Sequence, residues 1–336
     1  FYTSVLPYRG RLLVRGVDKD GTQKKYRINY KPTLFVPVGK ESKYKTLDGR
    51  NVGKIKFDSM PEATKWVNEY KNVTNFEYFG NTRHQYPFIA DEFQGKVDWD
   101  INQIKILTID IECESENGFP SPEKADQPLI CITVKDHISK KIIVFGMGNF
   151  VNDREDVQYI NCVTETGLVE TFTKFWVEYN PDIITGWNVK FFDIPYLMNR
   201  FRYLMGDDWL NQFSPWGVVE QRSAAVLFAS REQQVWNIMG VDTLDYLDLY
   251  RKFTFVRRES YKLDYIGEVE LGQNKLENPY DTFKEFYQND YQRFVEYNIQ
   301  DVELVDKLED KLQLIALFLT MAYEAKVNYQ DVFGQV

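Results

Sequence analysis

Residues 104–112 of the 336-residue chain have the sequence Ile-Lys-Ile-Leu-Thr-Ile-Asp-Ile-Glu, which is rich in β-branched residues. This pattern predicts a central β-strand. Because residues i and i+2 of a strand point to the same face, Asp110 and Glu112 project together, and Ile109 and Ile111 face the opposite side. Two carboxylates this close repel each other unless a positive charge lies between them. Hard oxygen ligands of this kind favour Mg²⁺ or Mn²⁺.

A second pair of polar residues, Tyr297 and Asp301, lies four positions apart in the sequence. Apolar residues recur around them at helical spacing, which predicts a helix with both side chains on one face. We expect Asp301 to reach a metal held by the strand. The phenol of Tyr297, one turn earlier, is then placed to orient an attacking water.

The segment Asn188-Val-Lys-Phe-Phe-Asp193 follows an apolar run, Pro181–Trp187, which predicts a short buried strand. Asn188 and Asp193 then fall at the start of a helix, where free N–H groups favour anions such as phosphate. Each motif alone is weak, because an Asp-x-Glu on a strand is more often an exposed pair on a solvated face. The ordered set of strand, strand–loop–helix and helix predicts a site that cleaves phosphodiesters with two metal ions.

These motifs resemble those of the 3′–5′ proofreading exonucleases that use four acidic residues and a Tyr in the third motif. The closer resemblance is to the amino-terminal part of the family B DNA polymerases of T-even-like bacteriophages. It extends from about residue 1 to the end of the chain. The further segments that carry it are Tyr30–Phe35, Asn117–Pro122, Leu244–Phe253 and Ser260–Ile266.

The resemblance implies a role for each matching residue. In chain order, Asp110, Glu112, Asp193 and Asp301 would bind two divalent metal ions, Mg²⁺ or Mn²⁺. Tyr297 would position the hydrolytic water near the scissile phosphate. All five residues are therefore candidate catalytic residues.

The resemblance also implies contacts with DNA. Phe119 would stack against the bases of a frayed primer end, which predicts a loss of roughly 1–3 kcal/mol in single-strand binding for Phe119→Ala. Asn188 and Phe192 would lie beside the 3′ nucleotide, and Lys275 matches a lysine near the exonuclease site. The segment 218–239 resembles a β-hairpin that parts primer from template, with Arg231 in its turn.

The formal net charge of −9 is unusual for a DNA-binding protein, because phosphate contacts come mostly from Lys and Arg. Bound metal ions are expected to neutralise the negative charge of the acidic site. A basic stretch with interleaved aromatic residues suits single-stranded DNA, and a solvated surface loop is an equal alternative. The candidate DNA contacts in this stretch are Arg257, Arg258 and Lys262.

The predicted fold class is α/β (α+β). Residues 1–103 predict an N-terminal β-rich domain with a helix near Met60–Tyr70. Residues 104–312 predict the 3′–5′ exonuclease domain, in which strands followed by alternating strands and helices favour an RNase H-like mixed sheet flanked by helices. Residues 313–336 resemble a return segment that packs on the N-terminal domain.

Further expectations concern what surrounds this chain. It lacks the palm, fingers and thumb motifs and begins at Phe1 without an initiator Met, so we expect a fragment that degrades DNA without synthesising it. Its expected partners are primer–template DNA, a single-stranded 3′ end, the rest of the polymerase, and replisome proteins reached through the missing C-terminus. No apolar run approaches the roughly 20 residues of a membrane span. The expected location is the cytoplasm of an infected bacterial host.

Two other functions stay open. One is a catalytically silent nucleic-acid-binding module, against which the intact set of four carboxylates and Tyr297 counts. The other is a stand-alone RNA-trimming or endonucleolytic relative, against which the long N-terminal region and the hairpin segment count. Zinc and a disulfide framework are disfavoured, because the few cysteines and histidines are scattered.

Overall fold

The computed structural model describes residues 1–115, 118, 120–226 and 232–334. The chain divides into two compact units, Phe1–Trp99 with Thr320–Val336, and Asp100–Leu319. The domain bounds predicted from the sequence, 103/104 and 312/313, and the functional names of those domains stay predictions. Among the described residues, no helix combines the length and apolar character needed to cross a bilayer.

The Phe1–Trp99 part of the first unit contains two small antiparallel sheets and two α-helices. One sheet has the order β1-β2-β3 and the other the order β4-β6-β5. The elements are β1 (Tyr2–Tyr8), β2 (Arg11–Val17), β3 (Gln23–Ile28), β4 (Thr33–Pro37), β5 (Tyr44–Lys45), β6 (Asn51–Lys56), α1 (Met60–Tyr70) and α2 (Gln85–Glu92).

Helix α1 has the bounds that the sequence predicts. The Ser59 side chain accepts a hydrogen bond from the Glu62 N–H at 3.3 Å and so caps the helix. Pro61 lies in the first turn, where its missing N–H removes no helical hydrogen bond. The local signal Ser-Met-Pro-Glu therefore decides where this helix begins.

The last described residues of the first unit are bonded to β1. The Tyr323 hydroxyl donates to the Tyr2 carbonyl, and the Tyr2 hydroxyl donates to the Val327 carbonyl, both at 2.8 Å. The Asn328 side chain accepts from the Val5 N–H at 2.8 Å and donates to the Val5 carbonyl at 2.9 Å. The bonds to the Tyr2 carbonyl and to Val5 are buried and satisfy backbone groups of β1.

The second unit is built on a six-stranded sheet of order β10-β9-β8-β7-β11-β14. Strand β8 is antiparallel to both of its neighbours, whereas β7, β11 and β14 are parallel to one another. The strands are β7 (Ile106–Cys113), β8 (Leu129–Asp136), β9 (Ile142–Gly146), β10 (Val157–Asn161), β11 (Ile183–Gly186) and β14 (Asp242–Asp245). This mixed sheet confirms the predicted fold class.

Helices flank the sheet, and a separate two-stranded hairpin lies within the same unit. The hairpin strands are β12 (Val219–Ala225) and β13 (Glu232–Ile238), and the predicted turn around Arg231 lies outside the described residues. The helices are α3 (Glu165–Tyr179), α4 (Asp193–Met205), α5 (Asp207–Leu210), α6 (Tyr246–Phe253), α7 (Leu263–Leu271), α8 (Phe283–Asn289), α9 (Tyr291–Leu312) and α10 (Leu314–Ala325). Helix α10 crosses the boundary between Leu319 and Thr320, so its last turns belong to the first unit. Short 3-10 helices lie at Ile101–Gln103 and Asn211–Phe213 in the second unit and at Tyr329–Gly334 in the first.

The two faces of β7 have different surroundings. Ile109 and Ile111 belong to the core that includes Phe172 of α3 and Leu197 of α4. Burying each such large aliphatic side chain contributes about 1.5–3 kcal/mol. Asp110 and Glu112 alternate with these residues, so they point away from that core. The apolar face therefore anchors the strand that presents the two carboxylates.

Gly186, at the end of β11, approaches β7 closely. A Cβ atom added there would lie 2.5 Å from the Ile109 carbonyl oxygen, directly before Asp110. We predict that Gly186→Ala lowers the free energy of unfolding by about 1–3 kcal/mol, because backbone must shift to admit the methyl group. Urea unfolding measures this loss. Gly39→Ala is the control, since its added Cβ would meet no atom within 4 Å. A Gly186→Ala protein as stable as that control would contradict the prediction.

Candidate functional site

Three carboxylates from two elements meet in the second unit. Asp110 and Glu112 on β7 and Asp301 on α9 each offer one oxygen, and these oxygens all lie within 4.8 Å of one another. Among the described residues, Asp301 Oδ1 is buried and has no hydrogen-bond partner. A buried acceptor without a partner costs free energy. The all-carboxylate donor set and this unpaired oxygen both fit a hard divalent cation.

Asp193 joins the cluster from a third element. It is the first residue of α4 and is only 3% exposed. Its Oδ1 accepts a hydrogen bond from the Ile111 N–H at 3.2 Å, which attaches it to β7 between Asp110 and Glu112. The structure thus brings the four predicted carboxylates together, although the oxygens of Asp193 are not among the three that lie within 4.8 Å of one another.

Burial and mutual repulsion change the protonation of these groups. Desolvation, followed by the charge of Asp301, raises the pKa of Glu112 to about 8. Desolvation also raises the pKa of Asp193 to about 7, and the pKa of Asp110 lies well above its usual value for the same reason. The cluster therefore retains protons near neutral pH unless a cation favours the charged forms.

Lys275 supplies one positive charge to this cluster. Its ammonium forms an ion pair with Asp301 Oδ2 and lies 4.6 Å from the centre of the Tyr297 ring. The backbone N–H of Lys275 donates to Asp264 Oδ1 at 2.8 Å, which attaches the segment between α7 and α8 to α7. The structure therefore places this predicted DNA contact against two of the predicted catalytic residues.

Tyr297 lies one turn before Asp301 on α9, as the sequence predicts. Its ring packs edge-on against Phe283 and Phe286, with ring centres 5.9 Å and 6.0 Å away. Burial raises the pKa of the Tyr297 phenol to about 12. The phenol therefore stays protonated at neutral pH and can donate a hydrogen bond.

The loop before α4 is held by a carboxylate that the sequence analysis missed as a functional residue. Buried Asp245 accepts hydrogen bonds from the N–H groups of Asn188 at 3.1 Å, Lys190 at 3.0 Å and Leu247 at 2.9 Å. Asn188 has a left-handed backbone with φ of 66°. The sequence feature that could have identified Asp245 is its position, because it is an Asp that follows an apolar strand and directly precedes a helix.

Phe192, the last residue of this loop, stacks on Tyr196 with ring centres 6.0 Å apart.

A second residue that the sequence analysis missed is Asn298, which is 0% exposed and donates from Nδ2 to Asp110 Oδ2 at 2.5 Å. Its signal was a polar residue at a position where α9 faces the sheet. Both Asp245 and Asn298 form hydrogen bonds with residues that are distant in sequence.

The remaining predicted DNA contacts have different surroundings. The Arg258 guanidinium is bonded to Glu270 at 2.6 Å and to the Tyr250 hydroxyl at 2.9 Å. Arg257 and Lys262 are exposed. Phe119 and Arg231 lie outside the described residues. The DNA-binding roles of all these residues stay predictions.

Residues 64–266 match the family described as DNA polymerase family B, exonuclease domain. This match covers more than half of the chain, so the chain belongs to the exonuclease-domain family of the family B DNA polymerases, as the sequence predicts. Asp110, Glu112 and Asp193 lie within the matched range. Tyr297 and Asp301 lie beyond it, in a part of the chain that the phage relatives described next also cover.

Curated relatives agree with this family. The chain is 30% identical over 365 residues to the DNA-directed DNA polymerase of Escherichia phage RB69 and 29% identical over 362 residues to that of Enterobacteria phage T4. Both alignments cover 100% of this chain and 40% of the relative. The DNA polymerase delta catalytic subunit of Caenorhabditis elegans is 29% identical over 237 residues, which cover 66% of this chain and 21% of the relative. The chain spans about 40% of the length of its phage relatives.

The role of Asp245 is testable by unfolding. We predict that Asp245→Ala lowers the free energy of unfolding by about 1–3 kcal/mol, because backbone N–H groups of the loop lose their acceptor. Thermal or urea unfolding measures the loss. Asp245→Asn keeps one carbonyl oxygen and should be less damaging. If the Ala variant were as stable as the wild-type protein, these hydrogen bonds would not hold the loop.

Proposed function

We propose that the chain is the 3′–5′ proofreading exonuclease portion of a family B replicative DNA polymerase. Its reaction is hydrolysis of single-stranded or mispaired DNA 3′ ends with release of 5′-mononucleotides. The observation that carries this proposal is the group of three carboxylate oxygens within 4.8 Å, next to an unpaired, buried Asp301 Oδ1. Membership in the exonuclease-domain family supports it independently.

Two divalent ions, Mg²⁺ or Mn²⁺, would be held by Asp110, Glu112, Asp193 and Asp301, where they would lower the pKa of the attacking water and stabilise the leaving oxygen. Charge supports this number of ions. When all four carboxylates are ionised, as metal ligands must be, they and the Lys275 ammonium carry three net negative charges, which would repel a phosphodiester. Two bound divalent ions would reverse this local charge to one net positive charge, which would attract the substrate.

The protein groups around the site complete the chemistry. The Tyr297 phenol, kept protonated by its raised pKa, donates a hydrogen bond that orients the attacking water. Asn188 and Phe192, in the loop that is bonded to Asp245, would lie beside the 3′ nucleotide. A mispaired terminus frays more readily than a paired one and so reaches the site more often, with a saving of a few kcal/mol in unpairing.

The partners follow from the same proposal. The relatives are named as DNA-directed DNA polymerases, so we propose primer–template DNA and a single-stranded 3′ end as substrates. We further propose that the chain works with the remaining domains of a polymerase and, through them, with replisome proteins. The cytoplasm of an infected bacterial host is the corresponding location.

The proposal predicts that Asp110→Ala abolishes hydrolysis, with a loss of at least about 1000-fold, because a metal ligand worth several kcal/mol is removed. Asp193→Ala should have the same effect. The measurement is shortening of a 5′-labelled single strand and of a 3′-mispaired primer–template, with Mg²⁺, with Mn²⁺ and with chelator. Stepwise shortening by the wild-type protein should require metal.

The matched control is Asp281→Ala, which removes an exposed carboxylate and should shorten DNA at the wild-type rate. Asp110→Ala should remain folded in chelator, because the relief of carboxylate repulsion offsets the loss of the acceptor of the Asn298 amide. Retention of metal-dependent shortening by Asp110→Ala would refute its assignment. Binding of DNA by the wild-type protein without any shortening would instead favour a silent binding module.

Tyr297→Phe should be much less damaging than Asp301→Ala. We expect a loss of at most about 100-fold, the lower end of the effect of a positioned acid–base group, because all four carboxylates remain. Single-turnover digestion of a single-stranded oligonucleotide at saturating Mg²⁺ measures the two rates. Equal losses for the two variants would show that the phenol is as important as the carboxylate.

A further inference from the structure

A buried chain of hydrogen bonds leads from β8 to the candidate metal site. In the β7–β8 pairing, Thr133 lies opposite Asp110 and Cys131 lies opposite Glu112. Directly opposed residues of an antiparallel pair project from the same face of the sheet. Thr133 and Cys131 therefore share a face with the two carboxylates.

Asn298 of α9 connects these two sets of side chains. Its Oδ1 accepts from the Thr133 hydroxyl and from the Cys131 thiol, the latter at 3.3 Å. Its Nδ2 donates to Asp110 Oδ2 at 2.5 Å. Asn298, Thr133 and Cys131 are all 0% exposed, so water does not compete for the bonds that join these three residues.

The direction of the Asn298 amide follows from its surroundings. The hydroxyl and the thiol both direct a hydrogen to Oδ1, which leaves the NH₂ group aimed at Asp110. When Asp110 is ionised, as a metal ligand must be, the reverse orientation would place an amide oxygen against a carboxylate oxygen, and two acceptors repel each other. Asp110 is thus held by a donor that is itself held from the other side.

We propose that Asn298 is a positioning residue for the metal site: by donating to Asp110 Oδ2 it fixes the orientation of the carboxylate that offers an oxygen to the group with Glu112 and Asp301. The inference rests on the proposed function only in taking this cluster as the metal site. Groups that orient metal ligands through a second hydrogen bond typically change metal affinity or activity by about 10–100-fold when they are removed. Thr133 in turn fixes the orientation of Asn298, because its hydroxyl donates to Asn298 Oδ1.

A purely structural role makes a different prediction. If Asn298 only fills space between α9 and the sheet, its removal lowers the stability of the protein but leaves the Mn²⁺ affinity of the folded protein unchanged. The two roles are therefore separated by measuring Mn²⁺ binding at a temperature where each variant is folded, without DNA.

The experiment is a titration with Mn²⁺ alone, in which the electron paramagnetic resonance signal of free Mn²⁺ reports binding. Asn298→Ala should bind Mn²⁺ about 10–100-fold more weakly than the wild-type protein. Thr133→Val should weaken Mn²⁺ binding less than Asn298→Ala does. Thr133→Ser should bind Mn²⁺ like the wild-type protein, because the serine hydroxyl can still donate to Asn298. The control is Asn289→Ala, which removes an exposed amide at the end of α8 and should bind like the wild-type protein.

Several outcomes would overturn the proposal. A folded Asn298→Ala protein with Mn²⁺ affinity within about twofold of the wild-type value contradicts it. If Asn298→Ala does not fold, the comparison of Thr133→Val with Thr133→Ser decides, and equal affinities contradict it. Failure of the exonuclease proposal is distinguishable from failure of this one. Even if the wild-type protein never shortens DNA, its Mn²⁺ binding can be measured, and loss of that binding in Asp110→Ala identifies the site at which Asn298 is tested.

Discussion

The repulsion among four closely placed carboxylates, of which Asp193 and Asp301 are buried, is the constraint on which the second unit depends. Asp110, Glu112, Asp193 and Asp301 come from a strand, a helix start and a second helix, and no short segment of chain could hold them together. Desolvation and mutual charge raise the pKa of these groups, so the cluster is unfavourable in its ionised form without a cation. The surrounding fold has to offset this cost.

The fold offsets it through the opposite face of β7 and through hydrogen bonds to the carboxylates. The apolar residues Ile109 and Ile111 anchor the strand in the core under α3 and α4. The Ile111 N–H, the Asn298 amide and the Lys275 ammonium each engage a different carboxylate. Sites of this kind are organised for function at the expense of local stability, a known compromise in enzymes.

Sequence reasoning succeeded where the signal was local. The two-residue period placed Asp110 and Glu112 on one face of a strand, the four-residue spacing placed Tyr297 and Asp301 on one face of a helix, and the mixed sheet followed from the order of elements. The capping signal at Ser59 also gave the bounds of α1.

It did not identify Asn298 or Asp245, because their partners are set by strand register and by loop conformation. The bond between Asn298 and Thr133 joins residues 165 positions apart, and the pairing of β7 with β8 that makes it possible is not encoded in either strand alone. Lys275 is a similar case, since its ion pair with Asp301 depends on the path of the segment between α7 and α8. Such contacts follow from tertiary packing.

The most direct test of the central claim is an anomalous difference map from crystals of this chain soaked in Mn²⁺. The claim is that the carboxylate cluster is built to hold divalent cations. It predicts a Mn²⁺ peak in contact with oxygens of Asp110, Glu112 and Asp301, with Asp301 Oδ1 among the ligands. Mn²⁺ bound only elsewhere, with Lys275 as the sole cation beside Asp301, would contradict it.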